Sequence, residues 1–198
     1  MNIFEKAQDI AGIGVILTLG PAIFLLITPF IKILIALSIL RTAIGISLPG
    51  LAINLLSLIL TYFSCKEYLD SLYEISILPL LNDELTLTNA LYKIQPIVEQ
   101  FVFQNVREKD IALFQSKSSF IDYKILLPAY FVSQIINGCG IGLALLAPFL
   151  VIDLVVSMLL LALSMMMVPP QLLSMPLKLA FVLYADTFSA AITAILNT

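Results

Sequence analysis

The feature that most constrains this chain is an apolar run of 35 residues, 148–182, interrupted by a few polar residues and prolines. The run is apolar enough to enter a membrane, yet it contains one acid, Asp153, and one base, Lys178. A charge inside such a segment is unfavourable unless it is paired or faces a polar cavity, so each charge indicates a functional role. Pro169 and Pro170 remove two backbone donors and predict the end of a helix.

The overall composition is typical of a membrane protein. Hydrophobic residues make up 61% of the chain and charged residues 12%, with a mean hydropathy of +1.07, whereas soluble domains contain about 25% charged residues. The net charge of −3 offers no basic surface for nucleic acid, and the chain has no histidine, the commonest general base. Because no nucleophile–base pair, phosphate-binding glycine loop or metal cluster is present in the sequence, we expect neither an enzyme nor a metal or cofactor site.

The distribution of charge divides the chain into three parts of one structural unit. Residues 66–124 hold 15 of the 23 charged residues and show helical spacing, which predicts a polar helical insert. Residues 1–65 are interpreted as an N-terminal hydrophobic hairpin with spans at 10–31 and 46–65, and residues 125–198 as a C-terminal hydrophobic hairpin. The predicted fold is therefore all-α, with integral membrane hairpins around a polar insert.

Orientation follows from the basic residues of the first hairpin. Its short connection is expected to carry Lys32 and Arg41, with a turn at Gly45. Basic residues in short loops favour the cytoplasmic side. With an even number of spans, the polar insert then faces the periplasm.

In the C-terminal block, prolines and glycines predict interruptions. A helix is expected to open at Pro128, to loosen near Gly138 and to restart at Pro148. The strongest helix is expected from Asp153 to Met167.

The acidic residues of this block allow more than one interpretation. Lys178 is the obvious partner for Asp153, within one subunit or across to a neighbour. A last helix beginning near Ser174 is expected to carry both Lys178 and Asp186. If Asp153 and Asp186 titrate, they indicate a proton-coupled secondary transporter, and a membrane scaffold without a conduit is a further alternative.

The methionine triplet Met165, Met166 and Met167 stands directly before the Pro169-Pro170 break. Successive helical residues point about 100° apart, so three adjacent methionines cannot form one stripe on a regular helix. Methionine usually fills gaps in cores, but beside this break we expect at least part of the triplet in a loop. Copies of that loop around an axis would form a soft apolar ring that closes against water.

A short charged run, Arg107-Glu108-Lys109-Asp110, lies in the polar insert. Its alternating charge is typical of a solvated helix face, and pairing between subunits is the alternative. We expect the solvated face.

Several of these stretches resemble one known family, the export-gate proteins of bacterial type III secretion, called FliP in flagella and SctR in virulence injectisomes. The matching stretches are 29–45, 107–114, 127–133 and above all 148–178. In the last of these, FLVIDLVVS, MMMVPP and S-x-P-x-K-L form a long ordered pattern. The likeness extends roughly over residues 21–188.

The resemblance implies an all-helical subunit that forms a pentameric helical ring with FliQ/SctS-like and FliR/SctT-like partners and meets a FlhB/SctU-like switch protein. Such a ring is the gated entry pore for unfolded secreted proteins at the bacterial inner membrane, and it needs no cofactor. On this chain, Met165, Met166 and Met167 correspond to the family's methionine gasket. The shortened stretch after Gly45 and the sequence Asp186-Thr187-Phe188 depart from the family pattern, and the short N-terminus favours the injectisome branch.

Overall fold

A computed structural model describes residues 25, 27–77, 87–114, 123–165 and 167–196, and the regular structure in these ranges is helical throughout. The prediction of an all-α fold is confirmed. The helices, numbered from the first whose bounds are described, are α1 (Phe30–Ile44), α2 (Gly50–Ser64), α3 (Lys66–Leu72), α4 (Leu87–Asn105), α5 (Glu108–Phe114), α6 (Tyr123–Ala162), α7 (Gln171–Tyr184) and α8 (Thr187–Leu196). A π-helical turn, Tyr73–Ile77, follows α3.

The chain forms two compact units, and the boundary between them falls inside α6, after Ser133. Among the described residues, those up to Ile31 and those from Cys65 to Ser133 form the first unit, and those from Lys32 to Ser64 and from Gln134 onward form the second. The three-part division expected from the sequence stays a prediction.

Helix α1 supplies most of the core of the second unit. Its buried apolar residues recur at helical spacing on one face, as expected for a helix that packs through a single stripe. They pack with one aromatic residue of α6 and the apolar face of α8; the most deeply buried members are Ile33, Ala36, Leu40, Phe149, Ala191 and Ile195.

The interpretation of Lys32 and Arg41 as a loop between two spans is wrong. Both residues lie within α1, and Lys32 is only 4% exposed. The turn at Gly45 is confirmed, because Gly45 ends α1 with a φ of 83° that favours glycine. Since neither basic residue lies in a loop, the charge argument for membrane orientation loses its basis.

Helix α6 is continuous for 40 residues, so the interruptions expected at Pro128, Gly138 and Pro148 are wrong. Prolines and glycines are tolerated in long apolar helices because neighbouring groups can satisfy the freed backbone. At Gly138 the absent side chain has a packing reason: a Cβ there would lie 2.6 Å from the Lys32 carbonyl oxygen of α1. Small residues let two helix backbones approach in this way.

The last helical segment is two helices rather than one. α7 ends at Tyr184, and Asp186 adopts a left-handed conformation with φ 47° before α8 begins. The expected single helix carrying both Lys178 and Asp186 is therefore wrong, because a left-handed residue turns the chain out of a right-handed helix. The two helices are bent by 67° at this break.

In the first unit, a smaller core forms between α4 and the start of α6. It comprises Val102, Leu126 and Tyr130, each at most 3% exposed. Tyr68 of α3 stacks on Phe101 of α4, with ring centroids 4.2 Å apart. The helical spacing expected in the polar insert is confirmed by α4, whereas residues 78–86 and 115–122 lie outside the described ranges.

Candidate functional site

The methionine segment lies between α6 and α7, outside either helix. α6 ends at Ala162, five residues earlier than expected. Met165 is 50% exposed and Met167 is 99% exposed, whereas Met166 lies outside the described residues. The prediction that part of the triplet sits in a loop is confirmed for these two methionines.

The proline pair ends this segment as predicted. Pro170 occupies the N-cap position of α7 in a helical conformation. The carbonyls of Pro169 and Pro170 accept hydrogen bonds from the first amides of α7 at 2.9–3.2 Å. Proline suits this place, because an amide here would have no partner within the helix.

The contact predicted between Asp153 and Lys178 is present within the chain. Lys178 Nζ lies 2.6 Å from Asp153 Oδ2, and the lysine side chain is 9% exposed. The same ammonium donates to the carbonyl oxygen of Ala43 at 2.8 Å, and Ser174 lines the cleft beside the pair. One lysine thus ties together α1, α6 and α7.

The acceptor on α1 explains why a lysine can be buried here. Ala43 lies in the last turn of α1, where carbonyls have no partner within the helix. A cation at a helix C-terminus also interacts favourably with the helix dipole. Lys178 therefore caps α1 while it pairs with Asp153. Ser174 stands four residues before Lys178, so helical spacing places both on one face of α7. Nothing in the sequence predicted the contact of Lys178 with Ala43.

A cleft of about 550 Å³ opens beside the ion pair. The Asp153 side chain is 40% exposed, so the paired carboxylate forms part of the cleft wall. The rest of the lining mixes hydroxyl, amide and apolar groups, among them Thr42, Ser157, Gln171 and Met175. The cleft is thus a polar notch in an otherwise apolar surface.

Asp186 is exposed and stands in the turn between α7 and α8, eight residues beyond Lys178. Its carbonyl accepts the amide of Ala190 at 3.2 Å, in the first turn of α8. Aspartate is one of the few residues enriched in the left-handed conformation that Asp186 adopts. The break between α7 and α8 therefore accounts for an aspartate at this position.

The charged run of the insert is only partly a solvated face. Glu108 and Lys109 are exposed, but Asp110 is 3% exposed. Arg107 donates to both Asp110 carboxylate oxygens, at 2.8 and 3.1 Å, and the Ser133 hydroxyl donates to Oδ2. Ser133 also accepts the backbone amide of Arg107 at 3.2 Å. The solvated interpretation is wrong for Asp110, because the helix turns this residue inward onto α6.

These hydrogen bonds favour the ionised carboxylate. Arg107 holds the pKa of Asp110 below its ordinary value of 3.8; burial acts in the opposite direction, and Ser133 adds to the lowering. Sequence reasoning missed Ser133, which stands 23 residues beyond Asp110. No signal in the sequence joined the two.

The apolar surface of the second unit is largely uncovered in the single chain. Residues 125–162 of α6 are long and apolar enough to cross a membrane, and α7 with α8 would form a second, broken span. Only 17% of the most apolar window of α6 is buried. α2, with 15 residues, is about 22 Å long and falls short of a bilayer core of about 30 Å. The expected span 46–65 is therefore not a full crossing by itself.

Comparison with family models matches residues 13–195 to the FliP family. The chain belongs to the FliP family. This match covers the ion pair, the methionine segment and the Arg107–Asp110–Ser133 contact together, and it confirms the resemblance read from the sequence.

Individual FliP relatives support the same assignment. The chain is 34% identical over 192 residues to flagellar biosynthetic protein FliP of Caulobacter vibrioides, covering 92% of this chain and 72% of that protein. For the Pectobacterium carotovorum protein the identity is 36% over 180 residues, covering 86% and 70%. For the Buchnera aphidicola subsp. Baizongia pistaciae protein it is 34% over 192 residues, covering 92% of this chain but 53% of the relative. The chain thus spans about half the length of the Buchnera relative.

Proposed function

We propose that this chain is a core pore-forming subunit of a flagellar-type protein export apparatus, where it forms the gated entry channel for unfolded proteins at the bacterial inner membrane. Membership of the FliP family and relatives named as flagellar biosynthetic proteins support the export role. These relatives are flagellar proteins, and the expectation that the chain belongs to the injectisome branch stays a prediction. FliQ-like, FliR-like and FlhB-like proteins are the proposed partners.

The exposed apolar surface supports assembly into a ring. A large, contiguous apolar patch that is exposed on a single chain marks a membrane or protein interface. Along α6 the exposed side chains include Leu150, Val151, Leu154, Met158, Leu159 and Leu161, each 53–64% exposed. In the proposed ring, neighbouring copies and partner subunits cover part of this surface and lipid covers the rest.

The methionine segment carries the proposal of a gate. Met167 is 99% exposed, so its side chain can pack against a neighbouring copy or a passing polypeptide. Thioether side chains are flexible and polarizable, so several copies can pack around a passing polypeptide and close afterwards. A narrow apolar constriction excludes water and ions.

The ion pair and the turn at Asp186 are assigned supporting roles in this proposal. Asp153 and Lys178 hold together α1 and the two helices that flank the methionine segment, α6 and α7. The transporter alternative required Asp153 and Asp186 as titrating carriers. It is not supported, because Asp153 is held by a lysine and the conformation of Asp186 explains that residue.

Membrane permeability tests the proposal. Replacing Met165, Met166 and Met167 together by alanine should raise the ion conductance of resting membranes that contain the assembled complex. The matched control replaces Met175, which is also exposed, at 43%, but lies in α7; it should leave conductance unchanged. Native mass spectrometry verifies that each variant assembles. Unchanged conductance in an assembled triple variant would refute the gate.

A further inference from the structure

The turn that follows the last residue of α6, Ala162, contains a serine in a left-handed conformation. Ser164 has a φ of 58°. Its amide donates to the carbonyl oxygen of Leu161 at 3.0 Å, and the next amide, that of Met165, reaches back to Leu160 at 2.9 Å. These two bonds are the pair that defines a Schellman motif, whose left-handed position is usually glycine.

The surrounding sequence would otherwise continue the helix. Leucine and methionine are among the better helix formers, and residues 163–168 contain no glycine or proline. The first obligatory stop is Pro169, which lacks an amide and disfavours the helical conformation in the residue before it. If α6 ran on to Met167, it would gain five residues, about 7.5 Å of length.

We propose that Ser164 is the positioning residue of the methionine segment: its left-handed conformation ends α6 at Ala162 and so presents Met165 and Met167 outside the helix. The inference rests on the proposed function of that segment as a gate. With Ser164 in a right-handed conformation, α6 extends through the methionines. Successive methionines then point about 100° apart, so those of neighbouring copies no longer face one axis. Because serine has a side chain, the turned and extended conformers lie closer in energy than they would with glycine.

Glycine and alanine at this position separate the two conformers. Left-handed backbone is unfavourable by roughly five- to thirtyfold in population for a residue with a Cβ and is free of this penalty for glycine. Ser164→Gly should therefore retain the turn. Ser164→Ala removes the hydroxyl, favours helix and should shift the population toward the extended conformer.

Ser38 provides a matched control, since it is an exposed serine in the middle of the regular helix α1. In a regular helix alanine is favoured and glycine disfavoured, so the order of stability at Ser38 should be the reverse of that at Ser164. Neither Ser38 variant should alter the methionine segment.

Two measurements test the inference. Hydrogen exchange of the purified chain in detergent should show more protection of the amides of 166–168 in Ser164→Ala than in Ser164→Gly. Resting conductance of the assembled complex should rise in Ser164→Ala and stay low in Ser164→Gly. Equal exchange in the two variants would overturn the inference whatever the conductance.

The outcomes also separate this inference from the proposed gate. A leak in the triple methionine variant, together with identical exchange in both Ser164 variants, would leave the gate standing and refute the role of Ser164. Different exchange without any leak in the methionine variant would support Ser164 as the residue that ends α6 and refute the gate.

Discussion

The close approach of α6 to α1 allows a sharp test of the packing of the second unit. A Cβ added at Gly138 would lie 2.6 Å from the Lys32 carbonyl oxygen and 3.0 Å from Lys32 Cα. Both contacts are with backbone, which cannot rotate away as a side chain can. A Cβ at Gly140, half a turn along the same helix, would meet no atom of the described residues within 4 Å.

The two alanine substitutions should therefore differ in sign. In a helix interior, alanine is more favourable than glycine by about 0.8–1.0 kcal/mol, and this gain applies at both positions. Gly140→Ala should raise the free energy of unfolding by about 1 kcal/mol. At Gly138, overpacking is unfavourable by about 1–3 kcal/mol, so Gly138→Ala should change the free energy of unfolding by between about zero and −2 kcal/mol.

Thermal unfolding of the purified chain in detergent, followed by circular dichroism, measures the difference. For a protein of this size, 1 kcal/mol shifts Tm by about 2–4 °C, so a separation of about 1–3 kcal/mol corresponds to about 2–12 °C. Gly142→Ala should also give a lower Tm than Gly140→Ala, because its added Cβ would lie 2.5 Å from Ile39 Cδ1, which can move, and 2.9 Å from Ile39 Cβ, which cannot. Equal Tm values for Gly138→Ala and Gly140→Ala would refute the close contact with α1.

Four further predictions use the same assay. Asp153→Asn should lower the free energy of unfolding by about 1–3 kcal/mol, because it leaves the largely buried Lys178 ammonium without its counter-ion. Exchanging the two residues should recover only the part due to the ion pair, because a carboxylate at position 178 cannot donate to the Ala43 carbonyl; no recovery at all would argue against the pair. Ser133→Ala should lower the free energy of unfolding by about 1–3 kcal/mol by leaving buried polar groups unsatisfied. The folded pKa of Asp110 lies below its ordinary value of 3.8, so its stabilising contribution is complete above that value and is lost as pH falls through the folded pKa. Asp110→Asn should flatten this acid dependence, and an unchanged dependence would exclude Asp110 as its source. Asp186→Gly should leave Tm unchanged or raise it, whereas Asp186→Val should lower the free energy of unfolding by about 1–2 kcal/mol; the opposite order would contradict the left-handed turn.

Local chemistry made part of the site predictable from the sequence. Pro169 and Pro170 can begin a helix but cannot continue one, so the break before α7 was readable from two residues. An acid and a base in one apolar stretch need each other, and this requirement indicated the contact between Asp153 and Lys178. Helical spacing likewise located α4.

Tertiary contacts determined what the sequence did not reveal. Lys32 looked like a loop residue because it interrupts an apolar run, yet it lies in the buried helix α1. Gly138 looked like a helix breaker, yet its missing side chain admits the backbone of α1. Ser133 and Asp110 meet only because α5 folds onto α6. The left-handed conformation of Ser164 was not predictable, because serine carries no signal for it.

In the proposed gate, several copies bring their methionine segments together at one axis and so close a passage. A density map of the detergent-extracted complex would show this arrangement. We expect a ring of identical subunits with Met165 and Met167 facing a central constriction. A map in which these side chains face lipid, away from any central opening, would contradict it.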